Sequence, residues 1–81
     1  MKQILYFTAS WCGPCRILGP IMESVKGQVN FLKLDVDVEQ DLAVKYKVRS
    51  VPTLVLVENG VEKSRLVGVH QAPEILNFYN S

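Results

Sequence analysis

Cys12 and Cys15 are the only cysteines in the chain, and Gly13 and Pro14 separate them. Two thiols at that spacing can close into a small disulfide and reopen, which carries two electrons between molecules. As a structural staple the pair would add little, because secreted disulfide scaffolds join four or more cysteines across the chain and this pair closes only a tiny loop. The segment Trp11-Cys12-Gly13-Pro14-Cys15 falls where a strand pattern ends and a helix pattern begins. Cys12 is therefore expected at a helix N-terminus, where unsatisfied amide donors and the positive end of the helix dipole favour a thiolate. Such surroundings commonly lower a cysteine from its ordinary value of about 8.5. Cys12 is expected to attack. Cys15 lies one turn on, facing the same way, where it gains less from the dipole and is expected to be better shielded, so it suits the resolving role. Pro14 can sit in the first turn without losing a needed amide bond, and its fixed φ stiffens the loop. Gly13 adds no bulk beside the attacking sulfur. Half a zinc site is the rival reading, but zinc needs four ligands and His70 is the only histidine, so a second chain would have to complete it. No metal is expected. An inert buried pair is the other alternative.

A pair so placed needs a strand before it and a helix after it, and the flanking sequence predicts both. Lys2 to Phe7 reads as a short strand, apolar on both faces after Gln3, as a strand covered on each side would be. Thr8 to Gly13 breaks the pattern. Along Pro14 to Val25, the positions Ile17, Leu18, Ile21 and Val25 fall at helical spacing and predict one apolar stripe. Pro20 is expected to kink this helix and Gly27 to stop it. Val29 to Leu34 predicts a second strand, with Asp35 and Asp37 at its exit. Asp37 and Gln40 have capping-box spacing, and Leu42, Ala43 and Tyr46 give the short helix that follows, ending near Lys47, its inner face. Thr53 to Glu58 and Glu62 to Val67 flank Asn59-Gly60, a strong signal for a tight hairpin. After Gly68, Pro73 and Glu74 suit the first turn of a last helix whose Ile75, Leu76, Phe78 and Tyr79 would cover the sheet. The order β-α-β-α-β-β-α predicts an α/β fold: a four-stranded mixed β-sheet flanked by three α-helices, parallel at the crossover and antiparallel at the hairpin.

The 81 residues are expected to form a single domain spanning 1–81, since domains usually run to roughly 150 residues. Hydrophobic residues at 48% and charged ones at 21% are a globular balance. Nine Lys and Arg against eight Asp and Glu, with neither sign in a block, leave no footprint for nucleic acid or an acidic membrane surface. The longest apolar runs, Ile4 to Phe7 and Leu54 to Val57, fall far short of the roughly 20 residues a membrane span needs. Met1-Lys2-Gln3 and the run behind it lack the apolar stretch of a secretory signal, so a cytoplasmic location is expected.

Trp-Cys-Gly-Pro-Cys after a hydrophobic strand, Lys33-Leu34-Asp35-Val36-Asp37, Val51-Pro52-Thr53 opening the hairpin, and Gly68 after it together resemble the thioredoxin family, from about Lys2 to Tyr79. The resemblance implies a minimal thioredoxin fold, trimmed of the extra N-terminal strand and helix of full-length members and nearer to glutaredoxin in size. It implies that Cys12 attacks and Cys15 resolves, with Trp11, Gly13, Pro14, Lys33 and Pro52 supporting them and Pro52 in the cis form. Substrate would pair with the backbone at Val51, and Trp11, Val51, Pro52, Gly68 and Val69 would form the docking surface. The implied activity is a thiol-disulfide oxidoreductase that reduces protein disulfides. No bound cofactor is implied; electrons would come from NADPH through a thioredoxin reductase. The expected partners are that reductase and disulfide-containing proteins, with the chain itself a monomer.

One position departs from the family pattern. Where thioredoxins usually place a buried aspartate, six residues before the first cysteine, this chain has Tyr6, while the neighbouring lysine is kept as Lys33. A phenol is a poor base at neutral pH, so Cys15 would lose its proton through water or Asp35, and slower resolution below neutral pH is expected. Tyr6-Phe7-Thr8 also resembles the strand end of small glutaredoxins. Gly13-Pro14 between the cysteines and Gly68-Val69-His70 do not match a glutathione site, which favours protein substrates. Arg16 is expected to add positive potential near Cys12 or simply to be solvated, and His70 to lie near the start of the last helix with no catalytic duty. A glutaredoxin-like enzyme, an oxidase or isomerase, and a binding module with incidental redox activity are the alternatives.

Overall fold

A computed structural model describes all 81 residues. The chain runs β1 (Lys2–Thr8), α1 (Gly13–Ser24), β2 (Phe31–Asp35), α2 (Gln40–Lys45), β3 (Thr53–Glu58), β4 (Val61–Val67) and α3 (Ala72–Asn80). The sheet order is β2-β1-β3-β4. β1 runs parallel to β2 and antiparallel to β3, and β3 runs antiparallel to β4. This is the thioredoxin fold, a mixed sheet with three helices.

The two central strands, β1 and β3, are apolar on both faces because both faces are covered. Ile4, Tyr6, Leu54 and Leu56 point to one side, where they join Leu18, Met22, Val25, Val29 and Ile75 in a cluster of nine buried residues under α1 and α3. Leu5, Phe7, Leu34, Val55 and Val57 point to the other and pack with Leu42 and Ala43 of α2 and with Tyr46, which caps it. Removal from water of each such large side chain contributes about 1.5–3 kcal/mol. Leu76, Phe78 and Tyr79 of α3 lie against the larger cluster, as their spacing predicts.

Several local expectations are corrected. The inner stripe of α1 is Cys15, Leu18 and Met22, continued by Val25, while Ile17 is 60% exposed. Ile17 and Met22 lie on opposite sides of the Leu18 direction, and the sheet meets the Met22 side. α1 continues through Pro20 to Ser24. It ends before Gly27, tightened by Val25 N–H to Met22 O at 3.1 Å and Lys26 N–H to Glu23 O at 3.3 Å. Gly27 is not the stop. β2 begins at Phe31, not Val29, because Val29 N–H still donates to Val25 O at 3.0 Å.

The Asp37 and Gln40 capping box does not form. The cap of α2 is Glu39, which makes no side-chain cap bond; Asp37 N–H instead donates to the Asp35 carboxylate at 2.8 Å, and Gln40 Nε2 donates to Asp37 O at 3.1 Å. α2 closes with Lys47 at φ 54, where Lys47 N–H donates to Val44 O and Val48 N–H to Ala43 O. That is a Schellman cap, built on lysine where glycine is usual. The hairpin turns as predicted on Asn59 at φ 54 and Gly60 at φ 82, although β4 begins one residue earlier than Glu62. A bulge skips Lys63, since Val57 faces Glu62 while Leu56 faces Ser64.

Candidate active site

Three segments converge on the cysteines: the end of β1, the start of α1 and the loop before β3. Cys12 is the N-cap of α1 and Pro14 lies in its first turn. The sulfurs of Cys12 and Cys15 lie at bonding distance, with their Cα atoms 5.2 Å apart. Cys15 N–H donates to Cys12 Sγ at 3.2 Å, so an orphan amide of the helix start is aimed at the sulfur. The same amide and the helix dipole would stabilise a thiolate once the pair opens. Cys12 Sγ also lies 3.5 Å from Val51 O. Shielding does not separate the two, however: Cys12 is 4% exposed and Cys15 5%, because Ala9, Val36 and Val51 close over both. A Cβ built on Gly13 would meet no atom within 4 Å, so the glycine relieves no crowding inside the protein and leaves room only on the partner's side.

The Val51–Pro52 bond is cis. Pro52 is buried and its carbonyl accepts from Gly68 N–H at 2.9 Å, and Gly68 sits at φ 90, a conformation that favours glycine. Cys12, Val51, Pro52 and Gly68 thus meet at one end of the sheet. Trp11 is 66% exposed, which excludes a core role. Its indole Nε1–H donates to Asp37 Oδ2 at 2.8 Å. Sequence reasoning missed Asp37 as this partner, because no local spacing links two residues 26 positions apart. Val36, Val48, Arg49, Ser50 and Val51 line a shallow depression with Trp11 beside the pair. Val69 is half-buried and packs on the larger cluster.

Lys33 does not touch this surface. It faces the other flank, where an open cleft of about 250 Å³ is lined by Tyr6, Thr8, Ala9, Ser10, Cys15, Arg16, Gly19 and Lys33. Arg16 therefore stands in the Cys15 cleft. Tyr6 is 2% exposed, edge-on to Phe31 at 6.1 Å between ring centroids, and belongs to the nine-residue cluster. Asp35 does not line the cleft; its carboxylate holds Asp37 N–H. His70 lies just before α3, with Nδ1 2.9 Å from the Glu74 carboxylate and Nε2 3.1 Å from Val67 O. No cluster of three His, Cys, Asp or Glu side chains could hold a metal, and no helix is long and apolar enough to cross a membrane.

The Thioredoxin family model matches residues 1–81. Among curated relatives, the chain is 46% identical to a thioredoxin of Mycoplasma pneumoniae, with 95% of this chain and 78% of that protein covered. It is 38% identical to a thioredoxin of Rickettsia bellii, with 100% of this chain and 81% of that protein covered. Among solved structures, a mutant thioredoxin from Halobacterium salinarum superposes with a TM-score of 0.90 at 37% identity, covering 98% of this chain and 72% of that one.

Proposed function

The chain belongs to the thioredoxin family and is a thiol-disulfide oxidoreductase, a protein-disulfide reductase, and from that premise we propose how its residues divide the reaction. The Cys12 thiolate attacks one sulfur of a substrate disulfide, forming a mixed disulfide and releasing the other sulfur as a thiolate that takes a proton from water. Cys15, deprotonated, then attacks Cys12 Sγ; the Cys12–Cys15 bond forms, the bond to substrate breaks, and the second substrate sulfur leaves as a thiolate that takes a proton from water. Two electrons have passed to the substrate. A thioredoxin reductase drawing on NADPH reopens the pair, and no bound cofactor takes part.

Trp11, Val51, Pro52, Gly68 and Val69 form the surface on which an extended segment of the substrate lies, with backbone pairing at Val51. Gly13 leaves the approach to Cys12 open, and Pro14 holds the turn. Lys33 supports Cys15 from the opposite flank. The 81 residues act as one redox domain, a monomer in the cytoplasm whose partners are disulfide-containing proteins and the reductase.

The observation that supports this division best is the Cys15 amide aimed at Cys12 Sγ at 3.2 Å, because it favours negative charge on Cys12 and on no other sulfur. The expected result is insulin reduction at the expense of NADPH when thioredoxin reductase is added. Cys15→Ser is expected to trap substrate proteins on Cys12 in non-reducing electrophoresis. If Cys12→Ser traps them on Cys15 instead, the assignment is reversed.

A further inference from the structure

Cys15 must lose a proton before it can attack, and the structure places it 5% exposed at the edge of an open cleft. The titratable and charged groups lining that cleft come from three elements: Tyr6 from β1, Lys33 from β2 and Arg16 from α1. Thr8 and Ser10 add hydroxyls, and no carboxylate lines it. The two acids that follow Lys33 in the chain, which the family-like segment 33–37 carries, are otherwise engaged, Asp35 with the Asp37 amide and Asp37 with the Trp11 indole. Tyr6 and Lys33 are direct partners across the β1–β2 ladder, so their side chains stand on the same face of the sheet as Cys15. Two cations and no carboxylate therefore line the cleft that Cys15 borders.

Resting on the reading above, we infer that Cys15 releases its proton to water in this cleft and that Lys33 and Arg16 act as positioning charges that hold the resulting thiolate, in place of a protein base. Opposite charge nearby favours the ionised form of a thiol. The step balances simply: Cys15–SH becomes a thiolate and water takes the proton. The thiolate then closes the bond to Cys12, and the substrate sulfur released from Cys12 leaves as a thiolate with the electron pair of the broken bond and takes a proton from water. Both cations reach solvent, so salt weakens their effect.

The reduced protein can be mixed with excess 4,4′-dithiodipyridine, a neutral disulfide that the cations do not steer. Thiopyridone released by Cys12 attack appears in a phase that scales with reagent concentration; thiopyridone released by Cys15 appears in a phase that does not. At pH 7 and low salt, Lys33→Gln combined with Arg16→Gln is expected to slow the second phase by roughly three- to tenfold, with the first changed less than about twofold. Lys33→Arg with wild-type Arg16 is expected to keep the rate, and about 0.5 M salt to close most of the gap. The thiolate absorbance of Cys15 in a Cys12→Ser background is expected to rise at higher pH in the double variant than with both cations present. Tyr6→Phe is expected to leave the second phase within about twofold, since water and not the phenol accepts the proton. A wild-type second phase in the double variant overturns the inference, as does a collapse of that phase in Tyr6→Phe or Asp35→Asn. A fast concentration-dependent phase that survives in Cys12→Ser and is lost in Cys15→Ser would instead overturn the assignment of Cys12, so the two failures are separate.

Discussion

Cys12 and Cys15 are 4% and 5% exposed, yet the two flanks of the pair are built differently. On the Cys12 flank several polar groups have fixed partners: the indole on Asp37, the Gly68 amide on Pro52 O, the Cys15 amide on Cys12 Sγ. Val36, Val48 and Val51 add apolar surface there, with Arg49 and Ser50 beside them. The Cys15 flank is an open cleft with free cations and hydroxyls. A preorganised apolar surface suits recognition of a protein segment, whereas an open polar one suits exchange of a proton with solvent. On the proposed reading, one disulfide divides docking from proton release.

Breaking the division at its source has the largest effect. Cys12→Ser is expected to bring insulin reduction to background, a loss of at least roughly three orders of magnitude, whereas Cys15→Ser stops after a single attack. Next comes the hidden wall of the Cys15 cleft. Tyr6→Asp would put a carboxylate where the larger relatives keep one, but here the ring belongs to the core and packs on Phe31. A loss of about 3–5 kcal/mol in urea denaturation is expected, from the cavity and the buried charge together. A stable Tyr6→Asp protein would show that the cleft, not the core, sets this residue.

On the docking flank, Trp11→Ala is expected to lower kcat/KM for a protein disulfide by about tenfold while the Cys15 phase of thiopyridone release stays unchanged, because the lost area touches only the approaching partner. Gly68→Ala probes the same flank through the backbone. A Cβ there would meet no atom within 4 Å, so the φ of 90 alone should cost about 1 kcal/mol and raise KM more than it lowers kcat. Equal changes in both constants would place Gly68 outside the docking surface.

The smallest effect lies behind that flank. Arg65 donates to Glu62 at 2.7 Å and to Tyr46 O at 2.7 Å, tying β4 to the end of α2. The hydrogen bond from Arg65 holds the Glu62 carboxyl below its ordinary value and raises Arg65, with burial opposing both shifts and the attraction between the two charges adding to them. Because the folded value is the lower one, the pair stabilises the protein above the ordinary carboxylate range and loses that contribution as pH falls through the lowered value. Both side chains are about a third exposed, at 30% and 33%, so solvent screening limits the effect to about 0.5 kcal/mol. Wild type and Glu62→Gln are therefore expected to differ slightly in melting temperature at pH 7 and to converge in acid.

Much of the fold was legible in the residues. The Asn59-Gly60 turn, the apolar runs of β1 and β3, and the cysteine pair at a helix start each depend on a few neighbours, and each stands where its pattern predicts. The capping box at Asp37 failed because the Trp11 indole, from outside the local pattern, takes the Asp37 carboxylate, while the Gln40 amide turns to Asp37 O. The stripe on α1 held at Leu18, Ile21 and Val25 and failed only at Ile17. Spacing alone allows Ile17 or Met22 to face inward, and the position of the sheet decides between them.

The order of elements, the fold family and the identity of the reacting sulfurs were set locally, because periodicity, turn chemistry and a Cys-Gly-Pro-Cys segment act over fewer than about ten residues. What surrounds those sulfurs was left to the packing of distant segments. Packing brought Gly68 onto Pro52 and Asp37 onto Trp11, made the two cysteines equally buried, and turned Tyr6 from a missing acid into a core side chain beside an open cationic cleft. The reason is one of range: Tyr6, Cys15 and Lys33 come from three different elements, and only the packing of α1 on the β1–β2 edge makes them neighbours.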